Sequence, residues 1–390
     1  MKSPPRSLTA LLAASCGLVV ANLYYGQPLA GPIAQELGMP AAAAGLIVTL
    51  TQIGYGLGLV LVAPLGDLVE SRRLVVGLVL AVSVATGVAS TITVAPVFLA
   101  AMLAIGVASV AVQVLVPYAA HLAPEAERGR VVGDVMAGLM LGIMLARPVA
   151  GFVAEAGSWR IVYAGSAAVM LAVAGTLWAI LPDRRPTGGM TYGGLLRSMA
   201  TLFATTPVLR RRALYQGGLF GAFSLFWTTT PLLLAGPGYG LSSAGIAVFA
   251  LVGVAGAVAA PLAGRWADRG HGRLVTGAAL AAGAASFGIG RLGSGWASIA
   301  ALTVAALVLD FAVSANLVIG QRAIFSLGAE VRGRLNGLFI ACFFVAGAVS
   351  SALGAWAFAQ GGWPLASALG ALMPGLALGW FLAAEPREPA

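Results

Sequence analysis

Four stretches of this chain carry no Asp, Glu, Lys or Arg: Ser7 to Gln35, Leu74 to Pro124, Ala213 to Gly264 and Leu335 to Ala384. Each exceeds the roughly 20 residues that an α-helix needs to cross the hydrocarbon core of a bilayer. In lipid, backbone polar groups are satisfied only within helices or closed barrels, so runs of this length read as helices. The 390 residues are 59% hydrophobic and 9% charged, against about a quarter charged in soluble domains. A soluble enzyme and a disordered chain are excluded. What remains is a polytopic α-helical membrane protein.

Gly and Pro clusters mark where the apolar runs must turn. Thr93 to Pro96, Gly236-Pro237-Gly238 and Gly361-Gly362-Trp363-Pro364 divide the runs into twelve spans, near 8–34, 42–63, 74–94, 96–120, 131–154, 160–181, 213–235, 243–263, 274–293, 297–320, 335–358 and 363–383. Apolar sequence continues well past Cys16, so the N-terminus reads as an uncleaved first span rather than a signal peptide. With the N-terminus placed inside, alternate loops divide the 22 basic residues very unevenly. Nineteen fall on one side, Arg160 and Arg291 on the other, and Arg147 lies within span 5. By the positive-inside rule both termini are cytoplasmic. The net charge of +9 is therefore a topological signal that also attracts anionic lipid headgroups, rather than a footprint for nucleic acid.

Cys16 and Cys342 lie in separate apolar spans with no ligand spacing to His121 or His271, so neither a disulfide framework nor a metal site is expected. The longest stretch outside the spans, Asp183 to Arg212, begins polar and Gly-rich. It then presents Leu195, Leu196, Met199, Leu202 and Phe203 at helical spacing, which reads as a linker carrying one interfacial helix. Around it the chain repeats. Ala63-x-x-x-Asp67 matches Gly264-x-x-x-Asp268 at an offset of 201, and Arg128-Gly129-Arg130 matches Arg332-Gly333-Arg334 at 204. The expected organisation is an N-terminal six-helix bundle over 1–182, a linker over 183–212 and a C-terminal six-helix bundle over 213–390, related as repeats.

Six plus six spans, a basic central loop and a Gly/Asp/Arg motif in the second loop of each half resemble the major facilitator superfamily over essentially the whole chain. The second copy, Gly264-Arg265-Trp266-Ala267-Asp268-Arg269-Gly270-His271-Gly272-Arg273, follows the family's pattern. The first departs from it, with Ala63 for the Gly, Leu68 for the Arg and Glu70 for the next Gly, while Arg72 and Arg73 are retained. Asn22-Leu23-Tyr24-Tyr25-Gly26-Gln27-Pro28 and Phe223-Ser224-Leu225-Phe226-Trp227-Thr228-Thr229 look like segments of a bacterial inner-membrane group allied to drug and sugar efflux transporters.

The resemblance implies a monomer in which the substrate path runs between the halves, lined by spans 1, 4, 7 and 10, and opens alternately to either face. It also implies a cytoplasmic gate in which Asp67 sits near the start of span 11 and Asp268 near the start of span 5, with Arg72, Arg73, Arg269 and Arg273 in the same loops. A carboxylate at a helix N-terminus is favoured by the unpaired amides and the dipole there. In span 5, family antiporters carry G-P-x-x-G. Here Pro148-x-x-Gly151 is present and Arg147 stands at the preceding Gly, which weakens the inference of antiport.

Only two ionisable residues lie deep within spans, Arg147 and Asp310, and both are candidates for proton coupling. Thr303, Asp310, Ser314 and Gln321 fall within about 40° on one helical face. Met136, Met140 and Met144 form a stripe beside Arg147 that reads either as core filling or as a deformable ligand wall. Gly138-x-x-x-Gly142 and Gly54-x-x-x-Gly58 read as close-packing sites along which the halves rock. Gln216, Phe220, Phe223, Trp227 and Thr230 share a face within about 80°, suited to an amphipathic ligand. Asn22, Tyr25 and Gln113 are further candidates for substrate contact, as are Ser314 and Gln321.

The sequence carries no Walker motif, nucleotide-binding Gly loop or catalytic Ser/His/Asp set. The expected activity is therefore transport driven by an ion gradient, with no cofactor and no enzymatic step. Proton-coupled export of a small amphipathic, sugar-like or drug-like molecule leads. Uptake by symport or uniport, and a membrane sensor without flux, stay open. Few charges line the expected path, which argues against a highly charged substrate such as a nucleotide.

Overall fold

The computed structural model describes residues 6–183, 190–254, 259, 262–266, 269–294, 298–328 and 330–384. Among them the regular structure is entirely helical. Ten helices are long and apolar enough to cross a membrane. Spans 1 to 6 are Arg6–Glu36, Ala41–Asp67, Ser71–Thr91, Ala95–Leu122, Arg128–Ala156 and Trp159–Ile180. Span 7 is Pro207–Ala235, span 9 Gly272–Leu292 and span 10 Ile299–Phe325. The last apolar helix, Arg332–Ala384, is two spans joined at the expected break. Gly361 and Gly362 leave helical geometry there, Gly362 at φ +60° and ψ −158°, a conformation open essentially only to glycine. Span 8 is described as the helix Ser243–Ala250 and the 3-10 turn Leu251–Val254. Most of the rest of its expected range lies outside the described residues.

Two helices start earlier than the charge pattern suggested. Span 5 begins at Arg128 rather than near 131, and span 7 at Pro207 rather than 213. Charged side chains mark the edge of the bilayer, not the end of the helix, and Pro207 fits a first turn whose N–H groups need no intrahelical partner. The expected interfacial helix is present as Tyr192–Thr205, capped by Thr191 and burying Leu195 and Met199. Its Tyr192 hydroxyl donates to Leu61 O of span 2 at 2.8 Å, and Ser198 meets Arg334 of span 11.

Small residues set how closely the spans pack, because lipid supplies no hydrophobic drive to bring helices together. A methyl group on Gly138 or Gly142 of span 5 would overlap the backbone of Ala13 or Gly17 in span 1. One on Gly54 of span 2 would overlap Leu103 of span 4, and one on Gly58 would stand 2.7 Å from Val107 O. Close packing is thus as expected, but these pairs join spans of the first six to one another. They are not the surface on which the halves meet. In the second six, span 7 meets span 11 at Gly354, and span 9 meets span 12 at Gly277 and Gly370. The 1–5 and 3–6 pairings thereby recur as 7–11 and 9–12, the pseudo-symmetry of the fold.

Contacts between the halves involve other residues. Thr49 Oγ1 of span 2 donates to Ala348 O of span 11 at 3.0 Å, and Gln52 Nε2 to Ser224 Oγ of span 7 at 2.6 Å. Gly151 of span 5 packs on Ala247 of span 8, where Glu155 Oε2 accepts from Ala244 N at 3.2 Å. On the outer side of span 5, Leu141, Leu145, Val149 and Phe152 are exposed, the stripe a lipid-facing helix presents.

Candidate substrate and proton site

Spans 1 and 8 depart from regular α-helix, spans 5 and 7 carry a proline inside the helix, and residues beside these four points meet. Span 1 breaks between Ala21 and Gly26. Pro28 has no N–H to offer Tyr24 O, which accepts from Gln27 N at 3.2 Å, and Asn22 Nδ2 takes up Leu18 O and Val19 O at 2.9 and 3.2 Å. Span 5 carries Pro148 directly after Arg147, and span 7 carries Pro231 four residues after Trp227. In span 8 the α-helix gives way to the 3-10 turn that holds Gly253.

Arg147 is the centre of the cluster. Its Nε donates to Gln27 Oε1 at 2.5 Å. Its guanidinium carbon lies 5.1 Å from the ring centre of Tyr24, 5.0 Å from Phe223 and 4.6 Å from Trp227. Such a three-ring box replaces part of the lost hydration of the cation. Trp227 Nε1 donates in turn to Asp310 Oδ1 at 3.0 Å. The other carboxylate oxygen faces Gly253, where a Cβ would stand 3.0 Å from Asp310 Oδ2, 3.4 Å from Arg147 Nη1 and 3.7 Å from Trp227 Cζ2. Arg147 and Asp310 therefore share one point of contact, yet the three ion pairs of the described residues do not include them. Arg147, Asp310 and Gln27 are 2%, 4% and 1% exposed, so the cluster is closed to both faces. Two donors within it have no acceptor, Arg147 Nη2 and Gln27 Nε2.

Of the residues expected to carry function, Arg147, Asp310, Phe223 and Trp227 meet here. The others are placed elsewhere. Gln216, fully buried, donates to Val313 O and accepts from Asn316 Nδ2, forming a second polar cluster between spans 7 and 10. Phe220 stacks on Phe223 and packs against Phe343 and Phe344. Thr230 is buried with its hydroxyl unpartnered. Asn22 Oδ1 accepts from Ser166 Oγ at 2.6 Å, tying span 1 to span 6, and Gln113 Nε2 donates to the Tyr55 hydroxyl at 2.9 Å, tying span 4 to span 2. Gln321 donates to Asn336 at the start of span 11, while Ser314 and Tyr25 are half-buried without a side-chain hydrogen bond among the described residues. Thr303 is likewise half-buried, so of its helical face only Asp310 reaches the cluster. Met140 and Met136 are partly buried against the core and Met144 is buried.

At the expected gate the first motif copy does not latch span 11. Asp67 is exposed and makes no hydrogen bond or ion pair among the described residues. Arg72 pairs instead with Asp183, donates to Leu181 O and lies 4.8 Å over the Trp178 ring, which fastens span 3 to the end of span 6. Glu70, standing where the family has Gly, caps span 3 by accepting from Arg72 N and Arg73 N at 2.8 and 3.1 Å, and pairs with Arg73. These local bonds occupy the loop's basic residues. Asp268 lies outside the described residues; Arg269 is exposed in a turn, and Arg273 stands 5.4 Å over the Phe381 ring of span 12.

Sequence reading missed Tyr24, Gln27, Gly253 and Asn316. Gln27 carried the one available signal, a polar side chain in an apolar run next to a proline. Gly253 matters only through what surrounds it in space, and Asn316 lies about 120° around span 10 from Asp310, outside the face considered.

The sequence profile of the Major Facilitator Superfamily matches residues 10–295. The uncharacterized transporter YgaY of Escherichia coli O157:H7 is 38% identical over 364 residues, covering 92% of this chain and 90% of that one. A probable transporter of Streptomyces coelicolor is 40% identical over 373 residues, covering 95% and 85%. The fold matches a nucleoside transporter structure with a TM-score of 0.77 at 13% identity, over 97% of this chain and 100% of that one. It matches a D-xylose–proton symporter with a TM-score of 0.74 at 18% identity, over 97% and 98%. With ten long apolar helices among the described residues and these relatives over nearly its whole length, the chain belongs to the major facilitator superfamily: it is a multi-pass membrane transporter, not an enzyme.

Proposed function

We propose that this transporter moves a small amphipathic molecule across the bacterial inner membrane by alternating access, coupled to protons carried by Asp310. The observation that supports it is a carboxylate buried where spans 1 and 8 break and spans 5 and 7 carry prolines, held by Trp227 and facing Arg147 without an ion pair. A carboxyl group so placed exchanges its proton between two environments when the helices around it move. The two halves, 1–182 and 213–390, rock about this level, joined by 183–212 with its interfacial helix. Both termini and the Arg-rich loops face the cytoplasm, next to anionic lipid. The protein acts as a monomer, with Asp67 and Asp268 engaging the facing half in the opposite conformation.

Export in exchange for protons is the sense that the efflux resemblance favours. Uptake with protons is the second reading, and one observation favours it: Arg147 stands where antiporters carry Gly and keeps a donor free. Reconstitution in liposomes tests both. A substrate panel should move faster with a pH gradient than without, and the gradient's sign that accelerates accumulation assigns the sense. Equal rates with and without the gradient would overturn proton coupling, and no flux for any member would leave a sensor.

A further inference from the structure

Two buried donors on linked side chains that find no acceptor among the described residues are unusual in a membrane interior. Buried polar groups are almost always paired, and each exception calls for a reason. Arg147 Nη2 and Gln27 Nε2 come from spans 5 and 1, on side chains 2% and 1% exposed, already linked through Arg147 Nε and Gln27 Oε1. That link orients both side chains: Gln27 turns its carbonyl oxygen to the arginine and leaves its amide N–H groups unpartnered. The unpartnered groups of the pair are therefore both N–H donors, the complement of an anion's oxygens. Around it stand the rings of Tyr24, Phe223 and Trp227, which accept an apolar or aromatic body.

We propose that Arg147 and Gln27 seat the carboxylate of an aromatic or otherwise apolar monoanion, and that this anion binds together with a proton on Asp310. The inference rests on the reading of Asp310 as the proton carrier. Its second half follows from charge. Asp310 is already the acidic group that faces Arg147. A second carboxylate beside one guanidinium leaves a net negative charge in low dielectric, unless one of the two is protonated. Among the described residues the groups that face Asp310 include no other cation: span 5 supplies Arg147, span 1 Tyr24, span 7 Trp227 and span 8 the backbone of Gly253. Anion and proton then travel in the same direction, which is the uptake sense.

The test uses the purified full-length protein in detergent with phenylacetate and indoleacetate as probes, each against its neutral amide. Thermal unfolding reports binding, and a pH-indicator dye in weak buffer reports proton uptake. The carboxylates should raise the unfolding temperature and take up about one proton per anion bound, and the amides should do neither. Arg147→Gln should weaken carboxylate binding about tenfold or more, and Gln27→Leu several-fold. If Arg147→Gln fails to fold, Asp310→Asn carries the test: it should bind phenylacetate more tightly than the native protein and without proton uptake. Equal stabilisation by amide and carboxylate, no stabilisation by either, or binding without proton uptake in the native protein would overturn the proposal. None of these readouts requires flux. Carboxylate binding with proton uptake but no movement across liposomes would leave the anion site standing and remove the transport cycle proposed above; gradient-driven transport of the amides alone would do the reverse.

Discussion

Gly253 offers the sharpest way to perturb the cluster without unfolding the protein. In Gly253→Ala the new methyl would stand 3.0 Å from Asp310 Oδ2 and 3.4 Å from Arg147 Nη1, both far ends of side chains rather than backbone. Relief requires the carboxylate to retreat by a few tenths of an ångström. Its other oxygen is held by Trp227 Nε1 at 3.0 Å, so the retreat stretches that bond toward the limit of useful geometry. Losing most of a buried hydrogen bond to a charged group costs about 1.5 kcal/mol, or roughly tenfold in the equilibrium it controls. The backbone gains up to about 1 kcal/mol from the loss of glycine's freedom, so the fold should hold. The expectation is an unfolding temperature close to native, with proton uptake on adding phenylacetate shifted about tenfold in half-saturating concentration. Gly77→Ala in span 3, where nothing lies within 4 Å of the new methyl, is the control and should change neither. Native proton uptake in Gly253→Ala, or a loss matched by a fall in unfolding temperature, would refute the geometry on which the site is built.

Gly142→Ala should behave oppositely, because its methyl overlaps the backbone of Gly17 and only a separation of spans 1 and 5 relieves it; a loss of about 1–3 kcal/mol is expected in thermal unfolding, against none for Gly77→Ala. Glu36 accepts from the buried Trp159 Nε1 at 2.5 Å and pairs with Arg160 at 2.8 Å where both charged side chains are partly exposed, so Glu36→Gln, which keeps an acceptor for Trp159, should cost about 1 kcal/mol or less and the difference should shrink in high salt. A membrane-permeant maleimide should label Cys342, which is partly exposed, well before Cys16, which is fully buried, and mass spectrometry of labelled peptides reads the order. Arg72→Ala removes the Asp183 pair and the cover over Trp178 and should loosen spans 3 and 6, seen as faster proteolysis near Pro182 with the central cluster's proton uptake unchanged.

Most of the architecture was legible because membrane insertion imposes a strict rule on the sequence. Length of charge-free run, Gly/Pro breaks and the distribution of arginines located the spans, and the Gly361-Gly362 break falls where it was expected. Helix ends at spans 5 and 7 were misplaced because Arg128 and the Arg210–Arg212 run are helical residues beyond the bilayer edge. The two functional suspects, Arg147 and Asp310, stood out because a charge in an apolar span has few structural reasons to be there. Their surroundings did not. Helical periodicity groups residues of one helix, whereas the cluster draws one or two residues from each of five, and the break before Gly26 and the turn at Gly253 spoil that periodicity in two of them. At the first gate motif Glu70 and Arg72 satisfy their own loop and leave Asp67 unengaged in this conformation, which a motif alone does not show.

The central claim is that Asp310 carries the proton that moves with substrate. Its most direct test is internal pH in proteoliposomes, followed by an entrapped dye while phenylacetate is driven inward by its own gradient, in the native protein and in Asp310→Asn. Native protein should acidify the interior as phenylacetate enters, while Asp310→Asn should exchange labelled for unlabelled phenylacetate without changing the pH. An unchanged pH response in Asp310→Asn, or phenylacetate entry through the native protein with no pH response, would contradict it.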